Sequence, residues 1–291
     1  MTQPRVVLLA TAAALTLLNA VKPLHIDDPF IYRVAEQVVH HPLDPFGLDM
    51  LWVQWPTPVV EELTPPLVPY WWAIALAVAP AQPLLWKLWL LPFALLLVFA
   101  LHALLRRFAR GVELPLTVLT ALSPAVLPGF NLMQDVPALA LALSALALFL
   151  AARPAAAGGI GGLALQTKYT AAAILPVMAL RALLTRRLRP ALIAVPLAVL
   201  VFLGWEVWVT TRYGTGMFVG QLRSDVWWYA RAAMVLPLLQ LLAGAAPLLV
   251  PLGLAALGAS RAIVLAATAL VAGAYALPLL WPVERDVFLA L

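Results

Sequence analysis

The sequence predicts an all-α polytopic membrane protein, with about nine transmembrane helices and interfacial helices in a long first outer loop. Three observations carry this expectation. Of 291 residues, 64% are hydrophobic and only 11% are charged, against about 25% charged in soluble domains. The mean hydropathy is +0.98. The apolar runs are continuous rather than alternating, which argues against a β-barrel. A secreted domain, a disordered chain and a single-span receptor are excluded on the same grounds. The net charge of +5 does not point to nucleic acid, because many of the basic residues flank apolar runs, where they set orientation. The chain has no cysteine, so disulfides, thiolate zinc sites and cysteine nucleophiles are absent. Its richness in alanine, leucine and proline fits a GC-rich bacterial genome.

The first apolar run, 6–21, follows Arg5. Leu18-Asn19-Ala20 is a poor cleavage site, so this run reads as an uncleaved first helix. The outer loop then occupies about 22–82, long enough between membrane helices to be functional. It holds Asp27, Asp28, Glu36, Asp44, Asp49, Glu61 and Glu62, seven of the thirteen acids. Within it, 29–40 predicts a short amphipathic helix whose apolar stripe is Ile31, Val34, Ala35 and Val38, spaced i, i+3, i+4, i+7. The segment 66–79 is apolar but too short to cross, and fits a helix lying at the interface. Further spans are expected near 84–105, 113–129, 136–152, 155–167, 170–184, 190–209, 233–257 and 261–281. With no linker and no internal repeat, 1–291 reads as one domain.

Charge sets the orientation. Arg106, Arg107 and Arg110, then Arg153, then Arg186, Arg187 and Arg189, and finally Arg261 belong inside. All eleven Trp residues then fall at the outer side, a crowding that marks a working surface. One long helix over 154–184 would put Arg153 and Arg186 on opposite sides. Two short helices keep both inside and place Lys168-Tyr169 at an outer turn. Together with the bacterial composition, the expected location is a bacterial inner or plasma membrane, with the working surface facing the periplasm or exterior.

Three ionisable features gather on the outer side: His25-Ile26-Asp27-Asp28-Pro29, Asp135 within Asn131-Leu132-Met133-Gln134-Asp135-Val136-Pro137, and Lys168. A carboxylate in a shielded pocket can act as general base toward an acceptor hydroxyl, and a nearby cation can hold a phosphate leaving group. Each residue also has a plainer reading. Asp28 is placed to cap the helix that Pro29 opens, and Asp135 to cap the helix at Val136-Pro137. Lys168 is placed to snorkel. Arg212 and Arg223 lie in or beside the other sizeable outer loop, either binding phosphate or lining the headgroup zone. Glu206 is placed to pair with Arg212. His25 with Asp27 is a weak metal signal; no metal site is assigned, no cofactor is expected, and a divalent metal is left open. The Gly158-Gly159-Ile160-Gly161-Gly162 run lacks a preceding strand and a following Lys-Ser/Thr, so it reads as close helix packing rather than a phosphate loop.

Four segments resemble motifs of the C-type polytopic glycosyltransferases, specifically bacterial relatives of the dolichyl-phosphate-mannose–protein mannosyltransferases, including enzymes that decorate lipid A or lipopolysaccharide. These are Asp27-Asp28 with Phe30 and Tyr32; Thr64-Pro65-Pro66-Leu67; Ser123-Pro124 with Met133-Gln134-Asp135-Val136-Pro137; and Gly162-Leu163-Ala164-Leu165-Gln166-Thr167-Lys168-Tyr169. Their order and spacing match over roughly 20–190. The resemblance implies inverting transfer from a polyprenyl-phosphate sugar to a lipid, glycan or protein acceptor at the outer face, among membrane lipids and without nucleic acid. It makes Asp27 the general base and Asp28 an orienting carboxylate. Asp135 becomes a supporting or acceptor-binding carboxylate, and Lys168 a neighbour of the donor phosphate, joined by Arg212 and Arg223. The chain departs from the pattern at Asp28, where relatives often carry Glu, and at Thr64, where they often carry Asn, His or Lys. Beyond the last span it carries Glu284-Arg285-Asp286-Val287 near its C-terminus, where longer relatives continue through more helices or a soluble domain, so it reads as a truncated or minimal member. Two other readings stand beside transfer: a lipid or small-molecule transporter or flippase, and a catalytically inactive scaffold of the same fold. Against passage, the acids cluster at one face rather than at the midplane.

Overall fold

The computed structural model describes residues 3–24, 27–51, 56–61, 65–80, 82–123, 126–127, 129–219, 260, 262–266 and 268–269. These are mostly helical. Their helices are α1 (Gln3–Ala20), α2 (Asp28–His40), α3 (Leu67–Val78), α4 (Pro83–Leu88), α5 (Leu91–Phe108), α6 (Glu113–Ala121), α7 (Asp135–Leu150), α8 (Pro154–Leu165), α9 (Ile174–Leu184) and α10 (Arg189–Tyr213). The chain divides into two compact units, Met1–Arg223 and Ser224–Leu291. In the second unit the described residues include helical 262–266 and 268–269. The expected span 233–257 and most of 261–281 lie outside the described residues.

Among the described residues, three helical stretches are long and apolar enough to cross a membrane: Gln3–Ala20, Pro83–Phe108 and Arg189–Tyr213. They mark the chain as a membrane protein. Only 22% of the most apolar window of α10 is buried within the protein. Leu192, Leu200 and Val207 point outward from it, as side chains do where lipid is the solvent. α3, α7 and α8 are apolar but shorter. α6 is shorter than the expected span 113–129 and ends at Ala121. The residue before a proline avoids the helical region, and Ser123 precedes Pro124.

The outer loop contains the predicted amphipathic helix. α2 buries Ile31, Val34, Ala35 and Val38 and packs on α3. Between these helices lies an antiparallel hairpin that hydropathy did not predict, β1 (Asp49–Leu51) with β2 (Pro56–Pro58), paired Asp49 to Pro58, Met50 to Thr57 and Leu51 to Pro56. A 3-10 turn follows over Val59–Glu61.

The remaining helices stack in series, α1 on α5, α5 on α7, α7 on α8 and α8 on α10. The α8–α10 seam is glycine-lined. A Cβ on Gly162 would lie 2.6 Å from the Val201 Cβ, and one on Gly158 would lie 2.7 Å from the Ala194 carbonyl oxygen. The run at 158–162 thus lets two backbones approach closely. Pairing 158 with 194 and 162 with 201 also makes α8 and α10 parallel. The helical stretch after α8 breaks at Gln166–Lys168, resumes as a 3-10 turn over Tyr169–Ala173, and continues as α9. A short link, 185–188, returns the chain into α10. Arg153 and Arg189 therefore begin parallel helices at the same end, as the charge pattern requires, and Lys168 sits at the opposite break.

Candidate active site

α7 begins at Asp135, and its acid in the first turn favours the positive end of the helix dipole. The expected capping role is not what its side chain does. Gln134 holds the cap position without a side-chain cap bond, and the Asp135 carboxylate instead accepts the Lys168 ammonium at 2.6 Å. Lys168 is extended, with φ −156 and ψ 131, which lifts its side chain out of the α8 break toward α7. The pair is part-exposed, 33% for Lys168 and 42% for Asp135. Such pairs add only about 0.2–1 kcal/mol to stability. An ammonium has three donors, so Lys168 retains capacity for an incoming anion.

Hydrogen bonds to the main chain draw the neighbouring segments onto this pair. Gln134 Nε2 donates to the Pro65 carbonyl at 3.3 Å, and the Leu67 amide donates to the Gln166 carbonyl at 2.9 Å. Trp72 Nε1 donates to the Leu132 carbonyl at 3.0 Å. Gln166 Nε2 donates to the Val201 carbonyl at 3.0 Å, tying the break to α10. The Pro65-Pro66-Leu67 segment therefore spans the start of α7 and the end of α8. Asn131 Oδ1 and Gln166 Oε1 are buried acceptors with no partner among the described residues.

The loop 126–134 continues this network to the acidic pair. Asn131 Nδ2 donates to the Pro23 carbonyl at 3.1 Å. Lys22 Nζ donates to the Leu127 carbonyl, and to the Phe130 carbonyl at 3.2 Å. Lys87, only 2% exposed, donates to the carbonyls of Lys22, of Asn19 at 3.4 Å and of Pro23 at 3.3 Å. Burial, reinforced by the neighbouring Lys87 ammonium, pushes the Lys22 amine below its ordinary value, and Asp28 pulls it partly back. Asp28 is fully buried and acts electrostatically on both lysines.

The expected cap at Asp28 is corrected. Asp28 is the first residue of α2, and Asp27 holds the cap position through its carbonyl, which accepts the Phe30 amide at 3.1 Å and the Ile31 amide at 3.4 Å. Pro29 favours this register, since a helix start tolerates its missing N–H. The half-buried Asp27 carboxylate makes no cap bond, so a base at this position is not committed to holding the helix. The loop ahead of α7 thus reaches the chain at Lys22 and Pro23, just before the acidic pair, through the Leu127 and Phe130 carbonyls and the Asn131 amide.

Arg212 sits elsewhere, at the C-terminal end of α2. Its guanidinium lies 3.6 Å from Asp44, whose carboxylate also accepts the Tyr213 hydroxyl at 2.7 Å. A cavity of about 520 Å³ is lined there by His40, His41, Arg212 and Trp208. The expected pairing of Glu206 with Arg212 does not form. Glu206 accepts the Tyr169 hydroxyl at 2.5 Å and the Phe218 amide at 3.1 Å. Six residues turn a helix by about 240° beyond one revolution, so the two side chains leave different faces. Arg223, Thr64, Pro124 and His25 lie outside the described residues.

The tying contacts of Lys22, Lys87, Asn131, Gln134 and Gln166 were not assigned from the sequence. Lys87 carried a usable signal, a cation at the start of an apolar run, where ionisable groups are costly. Compared with protein-family models, with curated proteins and with solved structures, the chain matches none, so a functional reading rests on these residues themselves.

Proposed function

We propose that the chain is a glycosyltransferase of a bacterial inner or plasma membrane, with about nine crossings, acting at its outer face. It moves a sugar from a polyprenyl-phosphate donor to a lipid, glycan or protein acceptor. The observation that carries this reading is the convergence of four resembling segments. Pro65-Pro66-Leu67 bonds to Gln134 and Gln166, Asp135 holds Lys168, and the loop that precedes Asp135 bonds to Lys22 and Pro23, just before Asp27-Asp28.

In this reaction the acceptor oxygen forms a bond to the anomeric carbon as the bond from that carbon to the donor phosphate oxygen breaks, with inversion. Asp27 takes the acceptor proton. Polyprenyl phosphate leaves with the electron pair, and its negative charge is met by Lys168. Asp135 keeps that ammonium in place, and Asp28, held among Lys22 and Lys87, orients the start of α2. The prenyl tail lies along the outward apolar helix faces.

The test is label transfer by the purified full chain in proteoliposomes, offered polyprenyl-phosphate-linked hexoses and pentoses with envelope lipids, glycans and proteins. The expected result is labelled acceptor together with released polyprenyl phosphate. Absence of transfer across the whole donor and acceptor panel overturns the proposal. Lipid scrambling in that same preparation would then mark a flippase, and inactivity in both assays an inert scaffold.

A further inference from the structure

The end of the bundle remote from Lys168 carries a second polar feature, which the transfer reaction does not use. α7 starts at Asp135 and, at 1.5 Å per residue, carries the chain about 24 Å away to Leu150. There Arg106 and Arg107 from α5, Arg110 from the following turn and Arg181 from α9 line one open cleft with Glu113. Its volume is about 930 Å³. Four guanidiniums meet one carboxylate. Glu113 is turned to the Gly111 amide at 2.5 Å, and among the described residues it forms no ion pair with these arginines. Arg107 spends one N–H on the Leu150 carbonyl at 2.8 Å and keeps the rest of its fork.

The inside preference of basic residues accounts for arginines at this end. It does not account for three separate elements converging on one cavity. Arg186, Arg187 and Arg189 obey the same preference without lining this cleft. The walls differ in character too. Leu104, Phe108 and Leu150 border the arginines, and Phe108 is 51% exposed. A guanidinium fork matches phosphate oxygens in pairs, and apolar walls beside it match acyl chains.

We propose that this cleft binds the phosphodiester headgroup of an anionic phospholipid from the leaflet on that side. Arg106, Arg110 and Arg181 hold the phosphate, and the apolar rim takes the first part of the acyl chains. The inference rests on the cleft alone and stands or falls independently of the transfer reaction. A pocket of basic residues between membrane helices is the arrangement that anionic headgroups select.

Native mass spectrometry of the full chain released from detergent micelles tests it, with tetraoleoyl diphosphatidylglycerol and dioleoyl phosphatidylcholine as probes. The expected result is retained adducts with the anionic lipid and not with the zwitterionic one. Replacing Arg106, Arg110 and Arg181 together by Gln weakens retention about a hundredfold, roughly fivefold per arginine. Arg33→Gln on α2 leaves retention unchanged. Equal retention of the two lipids, or undiminished retention by the triple variant, overturns the proposal. Inorganic phosphate that displaces the lipid at millimolar concentration overturns the lipid source in favour of a soluble anion. If the triple variant does not fold, the single exposed change Arg110→Glu must lower retention at least about fivefold, and failure to do so is equally decisive.

Discussion

The two ends of the first unit handle positive charge in opposite ways. All three lysines of the chain, Lys22, Lys87 and Lys168, lie at the Asp27 end, and each has an internal partner. Lys22 and Lys87 are spent on main-chain carbonyls, and Lys168 on Asp135. At the far end Arg106, Arg107, Arg110 and Arg181 face an open cleft with one carboxylate. The chemistry of the two cations explains the division. An ammonium is a compact charge with three rotatable donors, suited to a cage of carbonyls. A guanidinium is a planar fork suited to an external oxyanion. Lys22 and Lys87 use charge to hold the protein's own backbone in place, and the far arginines hold it out to the surroundings.

Substitutions at the two ends separate the roles of these cations, and Lys87 carries the largest expected effect. Lys87→Met removes the donor of three carbonyls and leaves the buried Asp28 short of a neighbouring cation. The expected loss is about 3–5 kcal/mol, measured by denaturation of the full chain in detergent. A wild-type melting curve would deny Lys87 its role as a tie. Lys22→Met removes two carbonyl contacts from a less buried site, with an expected cost of about 1–3 kcal/mol in the same measurement. Lys168→Met separates holding from chemistry. Its ion pair is part-exposed, so stability falls by less than about 1 kcal/mol, while the transfer rate falls about a hundredfold or more. A large stability loss with unchanged transfer would move Lys168 to the structural group. Arg110→Gln, in the open cleft, is expected to shift stability by no more than about 0.5 kcal/mol, and a greater loss would mean that the cleft holds the protein together.

Some of this was legible in the sequence because it was periodic. The stripe Ile31, Val34, Ala35 and Val38 has one helical solution, and α2 buries those residues. The break at Lys168 followed from requiring Arg153 and Arg186 to share a side. Other features left no such trace. The hairpin of Asp49–Leu51 and Pro56–Pro58 has three residues per strand and two prolines in β2, too little for alternation to register. The partners of Lys87 are carbonyls 64–68 positions away, and a carbonyl belongs to every residue, so no residue type announces it. Asp27 and Asp28 were legible as a pair, but which one caps α2 and which is buried is decided by the register of Pro29 and by the lysines beneath.

In the proposed transfer, the lysine-tied end holds Asp27 ready for proton removal without depending on it for folding. The most direct measurement is sugar transfer by Asp27→Asn, normalised to folded protein by melting temperature, beside the unaltered chain. The expected result is a melting temperature within a few degrees of the unaltered chain, because the Asp27 carboxylate makes no cap bond, and a fall in transfer of about 10²–10⁴-fold. Near-normal turnover by the well-folded variant would contradict it.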